Sequence, residues 1–303
     1  MTEPSGVLIV NKHMGVTSHD IVGKVRRLYN TRRVGHTGTL DPDASGVLVV
    51  LIGRAAKAAE YLVADTKRYR ATLRLGLTTD TEDASGEILT SCDSLPNTEA
   101  VMSVCDSFVG EIEQIPPMYS ALKKDGQKLC DLARKGITVE RKARTVSIFS
   151  LKCTPTEKSS DYILDVYCSS GTYIRTLCAD IGKALGCGGI MATLERSEAG
   201  GFSINDSYSI SRLEEMSEDE RLSCLIPTES LFEALPKVCL SAFFEKLCRS
   251  GCEIYQKKIR TDLPIGARVR LANEKGCFFA LGEVREYDGG SAIKSIKIFD
   301  LNS

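Results

Sequence analysis

Two side chains in one short stretch are able to do chemistry. Residues 33–48 read RVGHTGTLDPDASGVL, which sets His36 a few residues before Asp41 in a run of glycines and threonines. An ionised carboxylate is a competent covalent catalyst. The same residue types have a plainer use. Asp followed by Pro opens a turn or starts a helix, and glycines set backbone angles. A hydrolase built on His36 and Asp41 would be expected to carry a serine or cysteine nucleophile motif, and none is evident. Residue types alone leave this loop between a turn and a carboxylate centre.

The flanking elements must position it. Gly6–Val10 reads as a buried strand, followed by a turn at Met14–Gly15 and a helix opening at Ser18. Ser18 is the expected N-cap, with Asp20 in the first turn. Ile21, Val22, Val25, Leu28 and Tyr29 keep helical period, which leaves Lys24, Arg26 and Arg27 facing water or a ligand. Residues 30–46 are expected to form one long polar loop before a strand at Val47–Ile52, and a loop of that length is usually functional or disordered. The composition of this one favours a shaped loop.

Further on, Lys67–Gly76 alternates. Tyr69, Ala71, Leu73 and Leu75 share one face, while Arg68, Arg70, Thr72 and Arg74 share the other. That is a half-buried strand with a basic outer face. Val101, Val104, Cys105 and Phe108 mark a helix, Tyr162, Leu164, Val166 and Cys168 a strand, and residues 172–185 another helix. Strands and helices without a regular βαβ rhythm predict an α+β fold with a mixed, largely antiparallel central sheet and flanking helices. Leu235–Pro236 is a candidate boundary between a domain of residues 1–235 and a small β-rich domain of residues 236–303. The latter is expected to hold a short helix to about Ser250, a basic stretch at Lys257, Lys258 and Arg260, and strands at Ala267–Leu271, Cys277–Val284 and Ile293–Phe299.

With 43% hydrophobic residues the 303-residue chain has ample material for a core, which argues against wholesale disorder. A net charge of −1 announces no polyanionic partner, so distribution matters more than the sum. Between Asp20 and Asp41 the charges are all basic: Lys24, Arg26, Arg27, Arg32 and Arg33. The compensating acids Glu214, Glu215, Glu218, Asp219 and Glu220 lie far along the chain. The N-terminal residues lack the pattern of a signal peptide, and the longest apolar run, Val47–Ile52, is too short to span a bilayer, so a cytoplasmic protein is expected. The 12 cysteines are scattered without a CxxC pair, and Cys248 and Cys252 have no histidine nearby. Reduced thiols and no metal are expected.

GHTGTLDPDASGVL, residues 35–48, resembles the motif of TruB-type pseudouridine synthases almost residue for residue. The resemblance implies that Asp41 is the catalytic nucleophile and that His36 helps displace the target base from the RNA. It extends along the chain. In residues 11–20, Lys12, Gly15, Thr17 and Ser18 match the family's opening block, and Lys12 joins the residues expected at the RNA. Asn11 and His13 stand where Asp and Pro are usual, which loosens the turn. Lys67-Arg68-Tyr69 matches a Lys-x-Tyr strand, whose Tyr69 is implied to pack on the flipped base and to take part in proton transfer. Residues 115–123 match a block leading into an insertion of about 123–144. That segment is implied to grip the tRNA stem-loop, through Lys123, Lys124, Arg134 and Arg144. In residues 169–177, Arg175 is implied to pair with Asp41, and Tyr173 to lie in the active site. Leu194-x-Arg196 and Gly200–Phe202 complete the pattern, with Leu194 at the substrate. The tail is similar to a PUA-like RNA-binding domain.

What the resemblance implies is a cofactor-free isomerase, acting as a monomer without guide RNA on the T-loop uridine of tRNA, at position 55. Phosphate contacts are then expected from Lys24, Arg26, Arg27, the insertion, Lys257, Lys258 and Arg260. An RNA-folding protein that performs no chemistry would need none of Asp41, Tyr69 and Arg175. A guide-dependent relative fits poorly with a basic insertion suited to direct gripping. Burial would raise the pKa of Asp41 and a close guanidinium would lower it, which gives Arg175 a physical purpose. Whether Asp41 adds to carbon 6 of the ring or acts at the anomeric carbon stays open.

Overall fold

A computed structural model describes residues 3–61, 66–120 and 122–299. Ala121 in the block before the insertion, and the side chain of Lys123, lie outside the described residues. Among the described residues, nine strands form one sheet. They are β1 (Gly6–Lys12), β2 (Val34–His36), β3 (Ala44–Ile52), β4 (Lys67–Leu75), β5 (Gly110–Gln114), β6 (Arg144–Pro155), β7 (Asp161–Cys168), β8 (Gly189–Ala199) and β9 (Phe202–Ser203). The order is β1-β3-β8-β4-β7-β6-β5, with β2 added to β3 and β9 to β8. β3 and β8 run parallel, and the other pairings are antiparallel. The sheet is mixed and largely antiparallel, as its alternating strands predict.

The parallel pair positions the site. Leu194 of β8 stands opposite Ala44, and Arg196 opposite Gly46. Both partners lie just after Asp41 in the chain. Gly46 has φ +105°, and a Cβ there would fall 2.2 Å from the carbonyl oxygen of Arg196, so only glycine lets the two backbones meet.

The expected loop of residues 30–46 is shorter than its composition suggests. Val34, Gly35 and His36 pair with Ile52, Leu51 and Val50 as β2, and β3 already begins at Ala44. What stays irregular is residues 30–33 and the stretch 37–43 that holds Asp41. Gly and Thr residues hide these strand ends, because edge pairing needs backbone groups rather than an apolar pattern. A second correction concerns the first helix, α1 (Ser18–Leu28). Its N-cap is Thr17, which accepts from the Asp20 amide while the Asp20 carboxylate accepts from Thr17 in a capping box. Ser18 is the first residue of the helix itself.

Three packed regions cover the sheet. Ile21, Val22 and Val25 of α1, with Tyr29 at its C-cap, pack on Leu8, Val10, Leu48 and Val50. Each such aliphatic side chain contributes about 1.5–3 kcal/mol by leaving water. The inward face of β4, with β7, packs under α2 (Thr98–Asp106) and α3 (Ile174–Ala184), and Cys105 and Cys178 are buried there as small apolar groups. All 12 cysteines are free thiols. On the opposite face of β1 and β3, Phe232 meets Phe278 and Phe299 at ring-centroid distances of 6.1 and 5.8 Å.

Phe278 begins a strand of a second sheet, formed by β10 (Lys237–Cys239), β11 (Ile254–Tyr255), β12 (Arg268–Ala272), β13 (Phe278–Arg285) and β14 (Ala292–Ile298). Its order is β10-β12-β13-β14-β11. The segments that carry the remote acidic residues lie beside α1. Tyr29 donates to the carbonyl of Arg221 at 2.8 Å, and Lys24 and Glu214 line one small cavity. Among the described residues no helix is long and apolar enough to cross a membrane.

Candidate active site

Asp41 lies in the irregular segment 37–43, whose backbone is held by three buried polar side chains from three elements. Lys12, at the end of β1, donates to the carbonyls of Pro42 at 3.0 Å, Val16 at 2.8 Å and His13 at 3.1 Å. Ser18 donates to the Leu40 carbonyl at 2.9 Å and accepts from the Leu40 amide at 2.8 Å. Arg196, at the centre of the sheet, donates to Val47 at 2.8 Å, Gly38 at 3.0 Å and Thr39 at 3.5 Å. Burying Lys12 and Arg196 is tolerable because their donors meet carbonyl acceptors.

Arg175 enters from the start of α3, where Gln114 fixes the chain by accepting from the Tyr173 amide and donating to its carbonyl. The guanidinium is buried and joins three segments. Its Nε lies 3.1 Å from Asp41 Oδ2, and Nη2 reaches Asp41 Oδ1 at 3.4 Å and the Tyr119 carbonyl at 2.7 Å. Nη1 contacts the Thr81 carbonyl at 3.2 Å and Asp83 Oδ2 at 3.4 Å. Asp83 is fixed in turn, accepting from the Thr81 hydroxyl and from the amide and hydroxyl of Ser85. A planar fork with five donors suits this crossing, and a lysine could not satisfy it.

The carboxyl of Asp41 is raised above the usual carboxylate range. Loss of hydration is the largest cause; Asp83 and Asp43 push the same way, and Arg175 and Lys12 oppose them without cancelling the effect. The side chain keeps 39% of its surface open, but that surface faces a cleft and not bulk solvent. His36 is shifted the other way: burial, then Arg196 and His19, lower its pKa. Its Nδ1 is buried without a hydrogen-bond partner. A neutral imidazole follows.

Two cavities meet at Asp41. A cleft of about 790 Å³ runs past Met14, His19, His36, Asp43 and Arg134. A smaller cavity of about 300 Å³ is walled by Tyr69, Tyr173, Lys67 and Arg196. Asp41, Arg175 and Leu194 line both. The structure therefore brings together Asp41, Tyr69, Tyr173, Arg175 and Leu194, with His36 and Arg134 along the larger cleft. It does not bring Lys12 to a surface. That side chain is fully buried and its three protons are taken by carbonyls, so it supports the loop and cannot reach RNA. Lys124 and Arg144 are exposed and lie outside both cavities. Sequence reasoning does not reach Asp83, Gln114 or the inward role of Arg196. Asp83 stands in an acidic turn, Thr-Asp-Thr-Glu-Asp-Ala-Ser, whose short spacing to Ser85 resembles any polar loop.

Comparison with known proteins agrees with this arrangement. Residues 26–174 match the family described as TruB family pseudouridylate synthase (N terminal domain), and residues 175–233 match tRNA pseudouridylate synthase B C-terminal domain. The chain is 42% identical to tRNA pseudouridine synthase B of Alkaliphilus oremlandii (strain OhILAs), over 98% of each protein. It is 43% identical to the protein of the same name from Halalkalibacterium halodurans, over 91% of this chain and 92% of that one. In structure it is similar to a chain in the crystal structure of a Cbf5-Nop10-Gar1 complex, with TM-score 0.73, 25% identity, and coverage of 97% and 85%. With the signature segment folded around a carboxylate–guanidinium pair and the likeness running almost end to end, the chain belongs to the TruB family of pseudouridylate synthases.

Proposed function

We propose that this chain is a tRNA pseudouridine synthase acting on the T-loop uridine at position 55, with Asp41 as the catalytic carboxylate. The observation that carries the reading is the Asp41–Arg175 pair at the junction of two cavities, a cleft of about 790 Å³ and a smaller one lined by Tyr69 and Tyr173. The reaction breaks the bond between the sugar and N1 of uracil, turns the base, and joins the sugar to C5. The hydrogen on C5 is lost and N1 gains one, so the product is an isomer and no cofactor is consumed. A stacked uridine is out of reach and must be flipped out, at a cost of a few kcal/mol. Faces of Tyr69 and Tyr173 recover part of this, roughly 1–3 kcal/mol per stacked base. The apolar side chain of Leu194 closes the same cavity. His36, neutral and lining the larger cleft, helps displace the base in this reading.

In this reading residues 1–235 do the chemistry and residues 236–303 form a PUA-like RNA-binding domain. The 123–144 segment, with Lys123, Lys124, Arg134 and Arg144, grips the T-arm. The enzyme works in the cytoplasm as a monomer and without a guide RNA. Relatives bearing the name tRNA pseudouridine synthase B, similar over nearly the whole chain, support tRNA as the substrate. The test is incubation of the purified protein with a tRNA transcript and mapping of pseudouridine, beside Asp41→Asn. Conversion at position 55 by the wild type alone is expected. Equal conversion by Asp41→Asn would overturn the assignment of Asp41, and modification confined to another arm would overturn the site.

A further inference from the structure

We infer that Ser18 is a positioning residue for Asp41, an inference that rests on the catalytic reading above. Its hydroxyl makes two hydrogen bonds to one residue: it donates to the Leu40 carbonyl at 2.9 Å and accepts from the Leu40 amide at 2.8 Å. Ser18 is 2% exposed and Leu40 3% exposed, so water cannot replace either bond. The helix has no use for this hydroxyl, because Thr17 and Asp20 already form the capping box. The pair is therefore a tertiary contact between the start of α1 and the residue before Asp41.

The consequence for Asp41 is geometric. The carbonyl of Leu40 and the amide nitrogen of Asp41 belong to one rigid peptide plane. Fixing both ends of Leu40 fixes that plane and the direction in which Asp41 leaves it. Leu40 is held inward and Asp41 is aimed at Arg175. Lys12 holds the Pro42 carbonyl on the other side. The carboxylate's position is thus set by the backbone on both sides, and Arg175 receives it already in place. Reacting groups displaced by about 1 Å lose on the order of 10²-fold in rate.

The experiment uses the full-length protein and a tRNA transcript, with Ser18→Ala and Ser18→Cys. Alanine removes the hydroxyl, and cysteine keeps its approximate shape with a much weaker hydrogen-bonding group. Single-turnover rate at saturating enzyme, tRNA affinity and thermal midpoint are measured for each. A fall in rate of about 10- to 100-fold in both variants, at unchanged affinity and with the protein folded at the assay temperature, is expected. A rate kept by Ser18→Cys, or a loss that follows the folded fraction alone, would overturn the inference. If Ser18→Ala converts at the wild-type rate while Asp41→Asn is inert, the positioning role fails and the catalytic reading stands. If Asp41→Asn is active, the catalytic reading itself fails.

Discussion

The loop around Asp41 and the 123–144 segment are built on opposite principles. Around Asp41, buried side chains from β1, α1, α3 and β8 spend their hydrogen bonds on backbone carbonyls and on the carboxylates of Asp41 and Asp83. In the 123–144 segment, regular structure amounts to a hairpin pairing Lys123–Lys124 with Gln127–Lys128 and a helix at Leu129–Ala133, until β6 begins at Arg144. Apart from Arg141, which is half-buried and donates to the Pro116 carbonyl at 2.9 Å, the cations described there are loosely tied. Arg134 lies 3.7 Å from Asp131 with both side chains largely exposed, and Lys124 donates to the carbonyl of Glu140. A site that must hold reacting atoms within fractions of an ångström needs the first kind of structure. A surface that neutralises phosphates needs only charge at approximate places, and exposed pairs there contribute about 0–1 kcal/mol to stability. Rate should therefore reside in one region and affinity in the other.

The sharpest way to break this contrast is Asp41→Asn, which keeps size and turn-forming capacity. Single-turnover conversion should fall on the order of 10⁴-fold or more while tRNA binding persists. Next comes Arg175→Lys, which keeps the charge and loses the fork; conversion should drop roughly 10²-fold, with affinity changed little. Loss of affinity without loss of rate in either variant would erase the distinction.

The pH dependence tests the same region through its electrostatics. The carboxyl of Asp41 is raised by loss of hydration against the pull of Arg175. The ionised form is the reactive one, so the single-turnover rate should begin to fall on acidification above the pH at which an ordinary aspartate protonates. The stability consequence has the opposite sign. A carboxylate whose folded pKa exceeds its unfolded value carries its full penalty above the folded pKa. It loses that penalty as pH falls through the folded pKa towards the unfolded one. Asp41→Asn should thus be at least as stable as the wild type at neutral pH, and denaturant titrations at neutral pH and in the acid window would check it. A variant clearly less stable at neutral pH would mean that Arg175, left with Asp83 and two carbonyls, depends on Asp41 for its own burial.

Strands and helices are legible in the sequence wherever a period repeats. The alternation in β4, the stripe of α1 and the run Tyr162 to Cys168 carry their burial in plain view. The loop at Asp41 is legible as a signature and through its resemblance, but its supports are not. Lys12, Ser18 and Arg196 look like surface residues by type, and only the crossing of β1, α1 and β8 at one loop turns them inward. Asp83 is hidden for the same reason, since its partner Arg175 is 92 residues away. The placing of charge in space is hidden for a related cause: the acidic helices at Ile210–Glu215 and Glu218–Ser223 are distant in the chain and adjacent to α1 in the fold.

The affinity side of the comparison is tested by smaller effects. Replacing Lys124, Arg134 and Arg144 together by Ala should weaken tRNA binding about tenfold and leave the saturated single-turnover rate in place. The slope of log affinity against log salt should become shallower by roughly 0.7–0.9 for each phosphate no longer neutralised. The smallest effect expected is at α1, and the structure divides its three cations. Lys24 is half-buried and lines a small cavity with Glu214. Arg26 turns back to donate to the Val34 carbonyl at 3.3 Å. Arg27 is the exposed one. Arg27→Ala should therefore lower affinity about twofold and reduce the salt slope by no more than a single phosphate's share, while Lys24→Ala changes neither. Equilibrium titrations of labelled tRNA at several salt concentrations would read this. If Lys24→Ala costs more affinity than the triple substitution, phosphate binding is centred on α1, and the insertion is not the gripping surface.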